Sequence, residues 1–544
     1  MTDLSDKPAR SAPMKRRAAH ACAALLGGGM IAGLATAATA APDAAIAALI
    51  ENKCGSCHEQ RPDGTRPRLN AVRKSPEGWE LTLHRMQQWH EVALTAEQQR
   101  TLVKYLSDTQ GLAPTEAEPF RAVLERRPGH VEEIDDAELG TFCARCHTYA
   151  RVGLQRRDAD EWLKLVHTHV GQWPTLEYHA FSRDRDWWHV ATTELPKRLA
   201  AKWPLNSAAW TEWQTHKPAD LSGTWRVAGH RPGKGDYQGT LTVARIGDDR
   251  YSVRHHLVLQ DGTVLDSEGE AVVYTGYEWR GSVKLDGQPV REVFRLSADG
   301  SRLEGRWFAN DAVTGGDLVA VRSGKPQILA VQPGYLKAGQ TTKLTVVGTD
   351  LKGNVDLGPG ITVRKVESAS ADSVTVLAEA TAAAGIGAHA VAVGSTRQAD
   401  ALVVYDKVAA VQVEPAYTVA RVGGNGGPVP PVPAQFEAIG FLAGPDGKTG
   451  TADDVRIGVM PAAWSLADFD AEAAAMEDLK FGGKIDDTGL FTPGGAGPNP
   501  ARIYSTNNAA NLKVTAAVKD GAGTVEGTGQ LIVTVQRWND APVR

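Results

Sequence analysis

Two short stretches of this sequence share one pattern: IENKCGSCHEQ at residues 50–60 and GTFCARCHTYA at residues 140–150. In each stretch, two cysteines separated by two residues are followed directly by a histidine. The residues concerned are Cys54, Cys57, His58, Cys143, Cys146 and His147. The C-x-x-C-H pattern is the attachment signature of c-type haem, whose vinyl groups bond to the two thiols while the histidine binds the iron. The repeated pattern therefore predicts two covalently bound haem c groups, with His58 and His147 as proximal ligands.

Residues 1–41 have the composition of a secretory signal peptide. A positively charged lead, MTDLSDKPARSAPMKRRAAH, precedes a short apolar run, ACAALLGGGMIAGLATAATAA, that ends in small residues. We expect cleavage near residue 41 and export to the periplasm. A membrane anchor is the alternative, but the run is rich in glycine and alanine and barely long enough to span a bilayer. No later stretch is apolar for long enough, so no membrane span is predicted in the mature chain.

The cysteine count supports the haem interpretation. The sequence has five cysteines, and Cys22 leaves with the signal peptide, so all four remaining thiols belong to the two motifs. Disulfides are the usual use of cysteine in an exported chain. A zinc site would need further ligands at paired spacing, and a thioredoxin-like site would need a βαβ context. Neither the zinc site nor the thioredoxin-like site explains the histidine that follows each cysteine pair.

A repeat downstream of the motifs indicates the second ligand of each haem. The segments WELTLHRMQQW, starting at Trp79, and WLKLVHTHVGQW, starting at Trp162, place Met86 and His169 at the same position, seven residues after the tryptophan. Positions i, i+3, i+4 and i+7 share one face of a helix, so each side chain ends a mostly apolar stripe. We therefore predict ligation by His58 and Met86 in the first haem. In the second haem, we predict ligation by His147 and His169.

Other side chains compete for these distal positions. They are His84 and His90 for the first haem, and His167 and His179 for the second. A methionine on an apolar helix face also more often packs than binds a metal. If the assignment holds, methionine ligation raises the potential of the first haem relative to the second. Electrons would then enter at the second haem and leave from the first.

The length of the sequence and the periodicity of its apolar residues predict a multidomain α+β fold. At 544 residues the chain is too long for one ordinary domain. Residues 42–216 show helical periodicity and are interpreted as a helical diheme cytochrome-c-like domain. Residues 217–324 alternate apolar and polar positions between turns, which predicts an antiparallel β-barrel. Residues 325–405 and 406–544 have shorter strand signals that favour two immunoglobulin-like β-sandwiches.

The β units show no catalytic signature. They contain no nucleophile elbow, no H-E-x-x-H motif, no P-loop and no dinucleotide-binding fingerprint after a strand. His255 and His256 occupy neighbouring strand positions, so we expect them on opposite faces, which disfavours a shared metal site. The formal charge of −5 gives no electrostatic footprint for nucleic acid. We predict no catalytic residue in this chain.

The whole mature sequence resembles the α subunit of quinohaemoprotein amine dehydrogenase. The resemblance rests on CGSCH, CARCH, the Met86/His169 repeat, and the stretches LSGTWRVAGHRPGKGDYQGTLTV at 221–243 and QPGYLKAGQ at 332–340. It also rests on the order of a signal peptide, two haem motifs in a helical head, a barrel and two further β units. The haem motifs alone are generic, but the order of domains is not.

This resemblance implies a periplasmic heterotrimer that oxidises primary amines to aldehyde and ammonia. Its organic cofactor, cysteine tryptophylquinone, would lie in a small partner subunit, and another partner would be a β-propeller. Electrons would pass through the haems of this chain to a soluble acceptor such as azurin or cytochrome c. All four mature thiols are committed to haem, so no cysteine remains here to form the quinone. A stand-alone diheme c electron carrier and a diheme peroxidase remain as alternatives.

Overall fold

A computed structural model describes residues 42–173, 186–216, 219–381, 383–424 and 430–535. The predicted signal peptide lies outside these residues. The prediction of a multidomain fold with an antiparallel barrel is confirmed, because helices are followed by a closed eight-stranded barrel and then by further sheets. None of the described helices is both long and apolar enough to cross a membrane.

The first part of the chain is helical and contains two short strands. The strands are β1 (Val72–Lys74) and β2 (Gln155–Arg157). The helices are α1 (Pro42–Cys54), α2 (Pro76–His90), α3 (Ala96–Thr109), α4 (Pro114–Ala117), α5 (Arg121–Leu124), α6 (Ala137–Cys143), α7 (Ala150–Gly153), α8 (Ala159–Gln172), α9 (Trp187–Thr193), α10 (Leu195–Lys202) and α11 (Ala208–Trp213), with a 3-10 turn at Glu118–Phe120.

Strands β1 and β2 pair with each other and relate the two repeats. They run antiparallel, with Arg73 opposite Arg156 at the centre of the ladder. Each strand leads into a helix whose first turn is capped by a side chain, Ser75 for α2 and Asp158 for α8. Because each strand, cap and helix has the same spacing, the internal repeat expected from the tryptophans is present in the structure as a pseudo-two-fold pair.

A buried carboxylate neutralises the two arginines at the centre of this ladder. Glu116 of α4 accepts hydrogen bonds from Arg73 at 2.7 and 2.9 Å and from Arg156 at 3.1 Å. Burial would raise the pKa of Glu116, but the two guanidinium groups outweigh this and hold it at about 2. The ion pairs therefore fix both strands, and with them both helices, to one another.

The helical part rests on the barrel through a shared apolar layer and ion pairs. Leu112, Leu124 and Leu154 pack in one cluster with the barrel residues Val293 and Phe308. Arg121 donates to the buried carboxylate of Glu278 at 2.8 Å. The helical part is thus held against the barrel by both apolar and charged contacts.

The barrel is closed by hydrogen bonds between its first and last strands. Every neighbouring pair is antiparallel, and buried and exposed positions alternate along the strands, as expected of a barrel whose interior is filled by side chains. The strands are β3 (Gly223–Arg231), β4 (Gly235–Gly247), β5 (Arg250–Leu259), β6 (Val264–Tyr274), β7 (Glu278–Leu285), β8 (Gln288–Leu296), β9 (Arg302–Ala309) and β10 (Gly315–Arg322). Their inward residues form the largest apolar core within the described part of the chain.

The two adjacent barrel histidines point to opposite faces, as the sequence predicted. The side chain of His255 is 4% exposed and lies 3.2 Å from the Glu292 carboxylate inside the barrel. The side chain of His256 is 60% exposed and pairs with Asp266 on the outside. The two imidazoles are therefore in different environments and do not form one site.

Two four-stranded sheets follow the barrel and enclose one apolar core. One sheet has the order β11-β13-β16-β15 and the other the order β12-β18-β17-β14. Strand β15 lies at the end of its sheet, is almost wholly exposed, and has two register shifts against β16. The strands are β11 (Gln327–Gln332), β12 (Tyr335–Lys337), β13 (Thr341–Thr349), β14 (Val355–Asp356), β15 (Ile361–Ala369), β16 (Ser373–Ala380), β17 (Gly387–Val393) and β18 (Thr396–Tyr405).

The last part of the chain contains a four-stranded sheet and two three-stranded sheets around a further core. Two short helices, α12 (Ala471–Ala475) and α13 (Asp478–Phe481), and a 3-10 turn at Ile503–Ser505 accompany them. The strands are β19 (Ala410–Glu414), β20 (Tyr417–Arg421), β21 (Ala434–Gln435), β22 (Glu437–Leu442), β23 (Val455–Met460), β24 (Ala463–Asp468), β25 (Gly483–Ile485), β26 (Leu490–Pro493), β27 (Ala510–Asp520) and β28 (Gly523–Thr534).

A histidine connects the barrel to this last part. His230 of β3 lies 2.7 Å from Asp236 through Nδ1 and 2.7 Å from Glu437 of β22 through Nε2. Although burial alone would lower the pKa of His230, the two carboxylates raise it to about 10. The imidazole is therefore charged at neutral pH and bridges two carboxylates from different parts of the chain.

We expect His230→Phe to lower the free energy of unfolding by about 2 kcal/mol, because hydrogen bonds to charged groups contribute about 1.5–3 kcal/mol. Since the folded pKa is raised, this stabilisation is complete below the unfolded value of about 6.5 and is lost as the pH rises through about 10. Denaturant unfolding at several pH values measures it. His256→Phe, which removes an exposed pair, is the matched control, and equal losses for both variants would contradict the prediction.

Candidate functional site

The first C-x-x-C-H motif forms a turn at the end of α1. Helix α1 ends at Cys54, and the backbone N–H groups of Cys57 and His58 both donate to the Cys54 carbonyl, at 3.2 and 2.8 Å. The Nδ1 atom of His58 lies 3.0 Å from the Pro67 carbonyl oxygen. An imidazole that donates a hydrogen bond from Nδ1 in this way has its Nε2 atom available to bind a metal. This is the usual arrangement of a ligating histidine.

The second motif also follows the end of a helix, α6. Helix α6 ends at Cys143, and the Nδ1 atom of His147 lies 2.9 Å from the Thr148 carbonyl oxygen. The four cysteines of the two motifs are all free thiols, so the disulfide alternative does not apply to them. Cys54 and Cys143 are half-buried, whereas Cys57 and Cys146 are exposed. Burial raises the pKa of Cys143 to about 12.

The structure brings His147 together with His169, the predicted distal ligand of the second haem. Their ring centroids lie 6.4 Å apart, and the ring planes differ by 35°. The Nδ1 atom of His169 lies 2.8 Å from the Leu165 carbonyl oxygen, so Nε2 is again left over. Two imidazoles that bind one metal ion from opposite sides, through bonds of about 2 Å, have centroids about 6 Å apart. The pair therefore has the separation that bis-histidine ligation requires.

The electrostatics around this pair favour neutral imidazoles, which are the form that binds a metal. Desolvation by the surrounding protein lowers the pKa of both His147 and His169, and the charges of Arg151 and Arg85 lower it further. His147 also lowers the pKa of His169. Both rings are therefore able to offer a lone pair at neutral pH.

The competing ligands of the second haem are placed differently. The imidazole of His167 packs edge-on against Trp188, with centroids 5.1 Å apart, and no ring contact with His147 is observed among the described residues. His179 lies outside the described residues. Of the two histidines on α8, His169 is thus the one that faces the proximal histidine.

For the first haem, the structure describes the helix that carries Met86. Trp79 and Leu83 of α2 are buried in the same cluster that Cys54 packs against. Met86, three residues beyond Leu83, is half-buried, whereas His84 and His90 are exposed. In the second repeat, Trp162 and Leu165 pack in one cluster with Cys143. The apolar stripes therefore lie beside the cysteines as expected, and the pairing of Met86 with His58 remains a prediction.

A group of charged residues between the repeats was missed by sequence reasoning. Lys74 and Arg157 are both buried, at 6% and 5% exposure, and each comes directly before the residue that caps a ligand-bearing helix. Each cation lies over the tryptophan of its own repeat, 5.2 Å from the ring centroid of Trp79 and 5.7 Å from that of Trp162. Extending the tryptophan alignment backwards by five residues would have revealed this pair.

These residues fit the group that the motifs predict. Free thiols, histidines held through Nδ1, a facing imidazole pair and apolar stripes beside the cysteines are the features that a covalently bound haem requires. The fold and the site together define a multidomain haem-binding protein whose haem motifs lie in its helical part.

Comparison with known families agrees with this class of protein and identifies the family. Four models match in succession: quinohemoprotein amine dehydrogenase A, alpha subunit, haem binding at residues 44–210, and the alpha-subunit domains II at 218–323, III at 325–406 and IV at 411–543. The chain belongs to the family of quinohemoprotein amine dehydrogenase alpha subunits, as the sequence predicted. It is therefore a subunit of an amine dehydrogenase, an oxidoreductase, and its first domain is a haem-binding domain.

No curated protein matches the chain. Among solved structures, a redesigned β-barrel, b11L5F_LGL, is 16% identical and covers 19% of this chain and 92% of its own, with a TM-score of 0.17. Rv2717c from M. tuberculosis is 16% identical over 29% of this chain and 92% of its own, with a TM-score of 0.14. Such similarities are too low to support an inference.

Proposed function

We propose that this chain is the electron-transfer subunit of a periplasmic amine dehydrogenase complex and carries two covalently attached haem c groups. The observation that supports this most strongly is the facing pair of His147 and His169, 6.4 Å apart and adjacent to the thiols of the second motif. The pseudo-two-fold repeat supports the first haem site by analogy, because α2 and α8 have equivalent caps and tryptophans.

In this proposal the residues of the chain have distinct roles. The four thiols would hold the porphyrins in place, and His58 and His147 would bind the irons. Met86 and His169 would be the second ligands of the two irons. When bound, the two haems supply one-electron redox chemistry. The carbonyl groups of Pro67, Thr148 and Leu165 keep the imidazoles oriented by accepting from Nδ1.

The amine chemistry belongs to another chain in this proposal. All four described cysteines lie in haem motifs, so none is left to cross-link with tryptophan. Cysteine tryptophylquinone is therefore expected in a small partner subunit, with a β-propeller as the third subunit. That site would oxidise primary amines to aldehyde and ammonia, and azurin or a cytochrome c would accept the electrons from this chain. Export to the periplasm would follow cleavage near residue 41.

The arrangement of domains is also part of the proposal. We assign residues 42–216 to a diheme cytochrome c domain and residues 217–324 to the barrel domain. Residues 325–405 and 406–544 are assigned to two immunoglobulin-like domains. The apolar cores support this division, since each β unit has its own cluster of buried residues. Limited proteolysis that released fragments ending well inside these ranges would contradict the boundaries.

Mass spectrometry of the purified mature chain tests the central proposal. We expect the mass of the polypeptide from about residue 42 plus two haems, and Cys146→Ala together with Cys143→Ala should remove one of them. The visible spectrum should show two low-spin haems. A high-spin component in the wild-type protein would favour a peroxidase, and purification without a quinone-staining subunit would favour a stand-alone carrier. A chain without haem would overturn the proposal.

The order of the two potentials provides a further prediction. The haem bound by His58 and Met86 is expected to have the higher reduction potential, because a methionine ligand raises the potential relative to a second histidine. A redox titration that resolves both haems spectroscopically measures this order. If the bis-histidine haem were reduced first, the proposed direction of electron flow would be wrong.

A further inference from the structure

Lys74 and Arg157 are a buried pair of equivalent cations, one from each repeat. Each is the last residue of its strand, β1 or β2, and the next residue caps the helix that carries the predicted distal ligand. Buried cations are rare unless an anion accompanies them, because desolvation disfavours the charged form. Their equivalent positions indicate a shared role rather than two unrelated accidents of packing.

Two further arginines act on this pair. The cation cluster, as we define it, consists of Lys74, Arg157, Arg68 and Arg85. The charges of the three arginines, together with burial as the largest cause, lower the pKa of Lys74 well below its usual range. The positive charges therefore repel one another where the two repeats meet. Of the four, Lys74 and Arg157 are buried, whereas the Arg68 side chain is 46% exposed.

The protein supplies few negative charges to this cluster. The buried carboxylate of Glu161 lies 3.8 Å from Arg157 and 3.5 Å from Arg68, and it is already bound by Lys164 at 2.6 Å. The exposed cap Asp158 adds a weaker attraction to Arg157. Arg157, Arg68 and Lys164 thus share one buried carboxylate, so the cluster has an excess of positive charge.

Two buried donors, one in the cluster and one in the tryptophan beneath it, have no acceptor within the residues that the structure describes. The Nε atom of Arg157 and the Nε1 atom of Trp162 are both buried without a hydrogen-bond partner. Lys74 donates only to a neutral group, the hydroxyl of Thr82, at 2.6 Å. An unpaired buried donor is costly, which indicates that an acceptor is present in the functional protein.

The cluster lies beside both predicted haem sites. Arg85 directly precedes Met86 on α2, and its charge acts on both Lys74 and Arg157. Trp79 and Trp162, which Lys74 and Arg157 cover, pack in the same apolar clusters as Cys54 and Cys143. The cluster therefore lies close enough to both sites to be contacted by an anionic group of a bound porphyrin.

We propose that the cation cluster is the binding site for the propionate carboxylates of the two haems, with Lys74 serving the first haem and Arg157 and Arg85 serving the second. This inference rests on the proposed function. Carboxylates would neutralise the excess charge and accept hydrogen bonds from the unpaired donors of Arg157 and Trp162. Both haems would thereby direct their charged edges towards the β1–β2 ladder.

The reduction potentials of the holoprotein test this site. Removing a nearby cation favours the more positive, oxidised iron, so Arg85→Gln and Arg157→Gln should lower the potential of the bis-histidine haem. Lys74→Gln should lower that of the other haem. The charge-conserving variants Arg85→Lys and Lys74→Arg should retain most of the wild-type value. Arg100→Gln, which removes an exposed arginine of α3, is the matched control and should leave both potentials unchanged.

The measurement separates this inference from the proposed function. Haem content is determined by mass spectrometry for every variant, and Arg85 is half-buried, so its variant remains informative if the buried substitutions prevent folding. Full haem content with potentials no more altered than in Arg100→Gln would overturn the propionate site alone. A wild-type chain without haem would overturn the proposed function. Wild-type potentials that varied with phosphate at constant ionic strength would assign the cluster to a free anion and overturn the inference.

Discussion

His169→Ala is expected to convert one of the two haems from low spin to high spin. The imidazole of His169 faces that of His147 at a centroid separation of 6.4 Å, so removing it leaves the iron with its proximal ligand alone. A five-coordinate iron is high-spin and accepts an external ligand such as carbon monoxide. The visible and electron paramagnetic resonance spectra should therefore show half of the haem converted. Titration with carbon monoxide should give one binding equivalent for each chain.

The matched control for this prediction is His167→Ala. His167 lies on the same helix but packs against Trp188, so its removal should leave both haems low-spin. His169→Met should keep the second haem six-coordinate and raise its potential, since a thioether replaces an imidazole. If His167→Ala produced the high-spin haem and His169→Ala did not, the distal ligand would have been assigned to the wrong residue.

Glu116→Gln is expected to destabilise the helical part by about 3–5 kcal/mol, the usual cost of leaving a buried charge without its partner. The side chains of Arg73 and Arg156 are 4% and 5% exposed, and the Glu116 carboxylate binds both of them. Without it, two guanidinium groups stand opposite each other at the centre of the β1–β2 ladder. Denaturant unfolding followed by far-ultraviolet circular dichroism measures the loss. Glu138→Gln, which breaks the half-exposed pair with Arg198, should cost less than about 1 kcal/mol.

The same carboxylate predicts a pH dependence. Its pKa is lowered to about 2 in the folded chain, so its contribution is fully present above the unfolded value of about 4.3 and is lost as the pH falls through about 2. The difference in stability between the wild type and Glu116→Gln should therefore shrink in acid. A difference that stayed constant between neutral pH and pH 2 would show that the loss comes from altered packing rather than from charge.

The sequence predicted those features that depend on local spacing. The equivalent positions of Met86 and His169 on α2 and α8 followed from aligned tryptophans, because a helix converts a fixed spacing into a fixed face, whereas their binding to iron stays a prediction. It also predicted the alternation that places His255 inside the barrel and His256 outside. These features need no knowledge of distant contacts.

The parts that were not predicted depend on contacts between distant segments. Strands β1 and β2 are each three residues long, too short to show a periodic pattern, and they form only because the two repeats meet. The bridge from His230 to Glu437 joins residues from different β units. The burial of Lys74 and Arg157 likewise appears only in the folded chain, although their equivalent positions could be read from the aligned repeats. The spacing of residues within one segment carries no information about contacts with distant segments.

Strand β15 has a consequence for the behaviour of separate molecules. Its outer margin is unpaired by any described strand, and nine exposed or half-exposed residues there could otherwise attract the backbone of another chain. Two interruptions of its ladder and the charges of Arg364, Lys365 and Glu367 make that margin irregular and hydrophilic. Both devices discourage intermolecular strand addition. The open margin of this sheet is thus a poor template for a strand of a second molecule.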